Sequence, residues 1–90
     1  MQNNQPNDIT DSQARILKHS LTGGNEAGRV YRNRYAVGPG GYAWSDVQAL
    51  IALGLMRLVG EPEPDKSVRL FKVTDAGAKA VGLKLPDDER

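Results

Sequence analysis

Glycine and proline punctuate this chain so often that only short helices and strands can form between them. Gly23-Gly24, Gly38-Pro39-Gly40-Gly41, Gly54, Gly60-Glu61-Pro62-Glu63-Pro64 and Gly82 each mark a turn or an element end. The chain has 90 residues, which makes one domain with a modest core. It has no cysteine, so neither a disulfide nor a thiolate-bound metal can staple that core. The lack of cysteine also fits a reducing cytoplasm, which is the expected location. No run approaches the roughly 18 apolar residues of a membrane span. The Gln/Asn-rich start, Met1 to Asn7, lacks the basic-then-apolar layout of a signal peptide. Residues 1–10 read as a polar tail, 11–83 as the folded domain and 84–90 as a frayed end.

Within 11–83 the pattern is mixed. A first helix should start with Asp11 or Ser12 as N-cap, bury Ala14, Leu17 and Leu21, and end at Thr22-Gly23-Gly24. Residues 26–37 fit two periods. At the strand period Tyr31, Tyr35 and Val37 share a face, with Arg32 and Arg34 on the other. At the helical period Ala27, Val30, Tyr31 and Tyr35 form a stripe. The aromatics and valines favour an extended segment from Val30 to Val37.

A central helix should follow the Gly38–Gly41 turn. Ser45-Asp46-Val47-Gln48 has the spacing of a capping box, and Val47, Leu50, Ile51 and Leu53 supply the apolar positions. Gly54 should close it, with Leu55 in the core. Met56 and Leu58, then Val68, Leu70, Phe71 and Val73, read as a hairpin around a long polar tip. Thr74-Asp75 should cap a last short helix that Gly82 ends. The expected class is therefore α+β: N-terminal helix, central helix, two-stranded hairpin, short C-terminal helix, and a third short strand near residues 30–37.

Leu50-Ile51-Ala52-Leu53-Gly54-Leu55-Met56, a gap, and Leu70-Phe71-Lys72-Val73-Thr74-Asp75-Ala76-Gly77 resemble the end of the winged-helix unit in regulators of the MarR and PadR kind. Tyr31-Arg32-Asn33-Arg34-Tyr35-Ala36-Val37-Gly38-Pro39-Gly40 also resembles short proteins encoded by phages and prophages, which join such a run to the same Gly-Leu-Met and Val-Thr-x-Ala-Gly ends. The resemblance implies a winged-helix-like fold and a phage or prophage source, and no activity. The chain departs from a DNA-reading winged helix in three ways. Tyr35 to Tyr42 is too rich in glycine and proline for a support helix. The wing tip, Glu61 to Asp65, carries three acids that would repel phosphate. The central helix presents Asp46, Gln48 and Ala49, with no basic residue from Trp44 to Met56.

Little supports catalysis. His19 is the one histidine, with no cysteine to activate, and reads as a solvent-facing side chain near a helix C-terminus. Glu61, Glu63 and Asp65 do not match a calcium loop, and Gly38 to Gly41 lacks the Lys-Ser/Thr of a phosphate-binding loop. No enzyme activity, cofactor or metal is expected. Charge is uneven: residues 12–60 carry a balance of +4, against −1 in residues 61–90 and −2 in the first eleven. The basic stretch includes Arg29, Arg32 and Arg34 beside Tyr31 and Tyr35, a combination suited to nucleic acid or to a protein partner. The expected binding residues are Arg29, Arg32, Arg34, Tyr35 and Gln48, the last as a reader of adenine. The expected function is a small binding module, for nucleic acid through the winged-helix-like fold or, alternatively, for protein after loss of DNA reading.

Overall fold

The computed structural model describes residues 9–24, 28–60 and 68–86. The expected acidic tip, Glu61 to Asp65, lies outside them. Three helices and a three-stranded antiparallel sheet make an α+β fold: α1 (Asp11–Thr22), β1 (Tyr35–Val37), α2 (Trp44–Ala52), β2 (Met56–Gly60), β3 (Arg69–Val73) and α3 (Asp75–Ala80). The sheet order is β1-β3-β2, so the last strand lies between the first two. No helix among the described residues is long and apolar enough to cross a membrane.

α1 is capped by Thr10, one residue before the expected cap. The Gln13 N–H donates to Thr10 Oγ1 at 3.0 Å, and the Thr10 N–H donates to Gln13 Oε1 at 3.1 Å. Only Thr10 has a glutamine three residues on. A cap at Asp11 or Ser12 would put Ala14 or Arg15 there, and neither can return the bond. Asp11 falls in the first turn, where its charge suits the helix dipole. Ala14, Ile16, Leu17 and Leu21 are buried, and the helix ends at Gly23. Ile9 and Leu85 flank the 11–83 segment, and both are buried in its core.

α2 starts two residues earlier than the Ser45 capping box requires. Its N-cap is Ala43, with no side-chain cap. The turn before it runs straight into the helix: the Gly41 N–H donates to Gly38 O at 2.8 Å and the Trp44 N–H to Gly41 O at 3.2 Å. Trp44 then packs edge-on against Phe71, ring centres 6.0 Å apart. A cap contributes about 1 kcal/mol. Half-burying a tryptophan against a core phenylalanine contributes more, so packing decides the register.

The exit from α2 is as expected. Gly54 has φ 78°, which allows its N–H to reach Ile51 O at 2.9 Å and the Leu55 N–H to reach Leu50 O at 2.9 Å. Leu55 lands in the core, 1% exposed, beside Leu50. Its carbonyl faces α3. The Thr74 N–H donates to Leu55 O at 3.0 Å, and the Thr74 hydroxyl donates to Gly54 O at 2.7 Å while accepting from the Gly77 N–H at 3.1 Å. Gly77 packs so close that a Cβ there would collide with the Leu55 carbonyl oxygen. The separated Gly-Leu and Thr-Asp-Ala-Gly motifs are thus two halves of one junction.

β1 is shorter than the extended Val30–Val37 segment. The Tyr31 and Arg32 N–H groups donate to Leu21 O at 3.1 and 3.2 Å, and the Arg34 N–H donates to Ser20 O at 3.0 Å. These carbonyls lie in the last turn of α1, which lacks helical partners for them. Residues 31–34 satisfy α1 and cannot also form a ladder. Val73 on β3 would lose its pairing there, and the Asn33 side chain supplies it. Asn33 Nδ2 donates to Val73 O at 3.0 Å, and the Val73 N–H donates to Asn33 Oδ1 at 2.7 Å. Tyr31 consequently does not share the inward face of Tyr35 and Val37, and is 63% exposed.

Two substitutions test this account. Asn33→Leu should lower unfolding free energy in urea by about 2–4 kcal/mol, because both Val73 backbone groups lose their partner in a buried site. Gly77→Ala should cost about 1–3 kcal/mol through the clash with Leu55 O, although alanine is the better helix former. An unchanged urea midpoint for either variant would contradict the corresponding junction.

Candidate functional site

The outer face of α1 is basic. Arg15, Lys18 and His19 are exposed and spaced three and four residues apart, so they share one side of the helix. Leu17 and Leu21 bury the opposite side and hold that face outward. The segment tied to the end of α1 brings Arg32, Arg34 and Tyr35 against the same face. The His19 ring meets Tyr35 edge-on, with ring centres 6.3 Å apart.

Three depressions open around His19. One of about 520 Å³ lies along Arg15, Lys18 and Thr22, floored by Val81 and Leu83. A second of about 290 Å³ lies between α1 and the start of α2, lined by Arg15, Ile16, Tyr35, Tyr42, Ala43 and Asp46. A third of about 400 Å³ is lined by Arg32, Arg34, Tyr35 and Ala36. His19 borders all three, and Tyr35 borders the second and third.

The cations have different jobs. Arg32 is half-buried, and its Nη2 donates to His19 O at 3.0 Å. It thereby adds a second bond to a carbonyl that already accepts from the Gly23 N–H at 2.8 Å, and puts positive charge at the negative end of the dipole. Its Nε is buried and has no acceptor among the described residues. Arg15, Lys18 and Arg34 are exposed, with no ion pair among the described residues. The one acid lining these depressions among the described residues, Asp46, accepts from Gln13 Nε2 at 3.2 Å.

The residues expected from sequence divide. Arg32, Arg34 and Tyr35 come together in one depression. Arg29 is exposed on the segment leading to them. Gln48 is exposed on α2 with Ser45 and Ala52, lines none of the three depressions, and stands apart from the cations. Arg15, Lys18, His19 and Tyr42 join the site without having been among the expected binding residues. The spacing of the first three on one helix was the available signal. Their meeting with a segment thirteen or more residues away was not. Among the described residues no group of three His, Cys, Asp or Glu could hold a metal ion.

Comparison of the chain with protein-family models, curated proteins and solved structures gives no match.

The division of labour between the arginines is measurable. Arg32→Gln should lower stability by about 0.5–1 kcal/mol, since it removes a positive charge and a second hydrogen bond from the C-terminal end of α1. Arg34→Gln should stay within about 0.5 kcal/mol of the parent, as exposed changes do. Equal urea midpoints for the two variants would remove the structural role from Arg32.

Proposed function

We propose that this domain is a nucleic-acid-binding module, a degenerate winged helix of phage or prophage type, that holds the phosphate backbone with the basic face of α1. The observation that carries the reading is the convergence of Arg15, Lys18 and Arg34, exposed and without ion pairs among the described residues, on adjoining depressions. Phosphate binding displaces condensed counterions, and unpaired surface cations supply it at little desolvation cost. The winged-helix part of the reading rests on connectivity. A helix, a strand, a helix and two hairpin strands with the order β1-β3-β2 suit a winged helix that has one helix where a DNA-reading unit has two.

The same geometry argues against base reading by α2. Its exposed positions are Ser45, Gln48 and Ala52, and no cation on the helix positions a phosphate beside Gln48. A second reading, a protein-interaction module, is favoured by one observation. Leu53, Leu58 and Val59 are exposed at 48%, 56% and 44%, the last two on β2 at the edge of the sheet.

Binding to mixed-sequence DNA over a range of salt separates these readings. For the parent, log K should fall linearly with log salt. Arg15→Gln, Lys18→Gln and Arg34→Gln together should flatten the slope by up to about three contacts, each worth roughly 0.7–0.9. Leu58→Ser with Val59→Ser should leave the slope unchanged. A slope insensitive to the three charge changes would reject the basic face as a phosphate site.

A further inference from the structure

We infer that the ligand of this face is a single-stranded polynucleotide, with its phosphates on Arg15, Lys18 and Arg34 and an unstacked base on the ring of Tyr42. This rests on the reading that the face binds nucleic acid, and it specifies the form bound. Tyr42 is fully solvated, at 103% exposure, yet it rims a concave site. Its backbone is held on both sides. The Gly41 N–H is bonded to Gly38 O, and the neighbouring Ala43 is buried. The ring is therefore a free aromatic face on a fixed base, which binds at low entropic cost.

The rest of the depression suits a flat apolar group with a polar edge. Ile16 and Ala43 are buried at its floor, and the half-buried Tyr35 borders it with His19 edge-on. Asp46 gives this region a carboxylate, which repels phosphate and accepts hydrogen bonds from base N–H groups, whether an exocyclic amino group or the imide N3–H of thymine and uracil. Two cations lie in the adjoining depressions around His19, Lys18 in one and Arg34 in the other, and Arg15 lines both the notch and the depression of Lys18. The site is thus polarised, with positive charge for a backbone and an aromatic, acid-edged notch for a base. A duplex could use the charge, but its base faces are stacked and closed to Tyr42. A single strand uses both.

The test is fluorescence anisotropy with the whole chain, labelled oligothymidylate of about a dozen residues and a mixed-sequence duplex of equal length, at low salt. Tyr42→Ala should weaken oligothymidylate binding about 5- to 100-fold and leave the duplex unaffected. Tyr42→Phe, which keeps the stacking face, should retain the parent affinity. The ring is solvated, so neither change should alter the circular dichroism spectrum or urea midpoint. Oligouridylate run in parallel reports whether the sugar is read, and tighter binding of either single strand over duplex supports the inference. Duplex bound as tightly as oligothymidylate, or Tyr42→Ala without effect while the three charge changes weaken both forms, would overturn the single-strand inference and leave the phosphate-binding reading standing. No binding of any form by the parent would overturn both.

Discussion

One side-chain amide joins the two halves of this fold. Asn33 gives Val73 a donor and an acceptor where a neighbouring strand would otherwise supply them. That frees the backbone of residues 31–34 to satisfy the last carbonyls of α1. Without it, the segment would have to choose between helix and sheet, leaving buried polar groups unpaired on one side at a cost of about 1–3 kcal/mol each. Asn33 is 5% exposed and is among the few buried polar residues of the domain. Its burial is tolerated because both of its polar atoms are matched.

The anchor also places the basic arms. Arg32 and Arg34 are the immediate neighbours of Asn33, and the backbone between them is held to Leu21 and Ser20. Arg32 turns to the α1 terminus and bonds the His19 carbonyl beside the Gly23 cap, whereas Arg34 stays outward on the same side as His19. A structural requirement, closing the end of a helix, thus sets the position of a charge available for binding. The two roles are separable because the bond from Arg32 goes to a main-chain carbonyl and Arg34 has no comparable partner among the described residues.

The opposite part of the domain is built on a different device. Gly54, Leu55, Thr74 and Gly77 lock the end of α2 and the root of the hairpin to α3 by close backbone approach, without a polar network of side chains beyond Thr74. This junction orders β2 and β3, and its edge strand exposes Leu58 and Val59 next to Arg57. The domain therefore has a basic, aromatic side at α1 and β1 and a separate edge at β2 where Leu58 and Val59 are exposed beside Arg57. The proposed nucleic-acid contact belongs to the first.

Local chemistry was legible in the sequence. Glycine at Gly23, Gly54 and Gly82 ended elements where a left-handed residue was needed, Thr74 capped α3, and the hairpin strands fell where apolar residues alternate around polar ones. These outcomes depend on a few adjacent residues, so nearby residue types suffice to read them. Arg32, Arg34 and Tyr35 were found for the same reason, as neighbours in one run. Contacts between distant segments were not legible. The start of α2 was set by Trp44 meeting Phe71 rather than by Ser45 and Gln48, and the length of β1 by the unmet carbonyls of α1 rather than by its own valines and aromatics. Gln48 stood out as a polar residue on a helix, but only the packing of α2 shows that it lies away from the cations. Side-chain identity fixes what a residue can bond to; tertiary structure alone decides which partner is within reach, because partners far apart in sequence become neighbours only when the core closes.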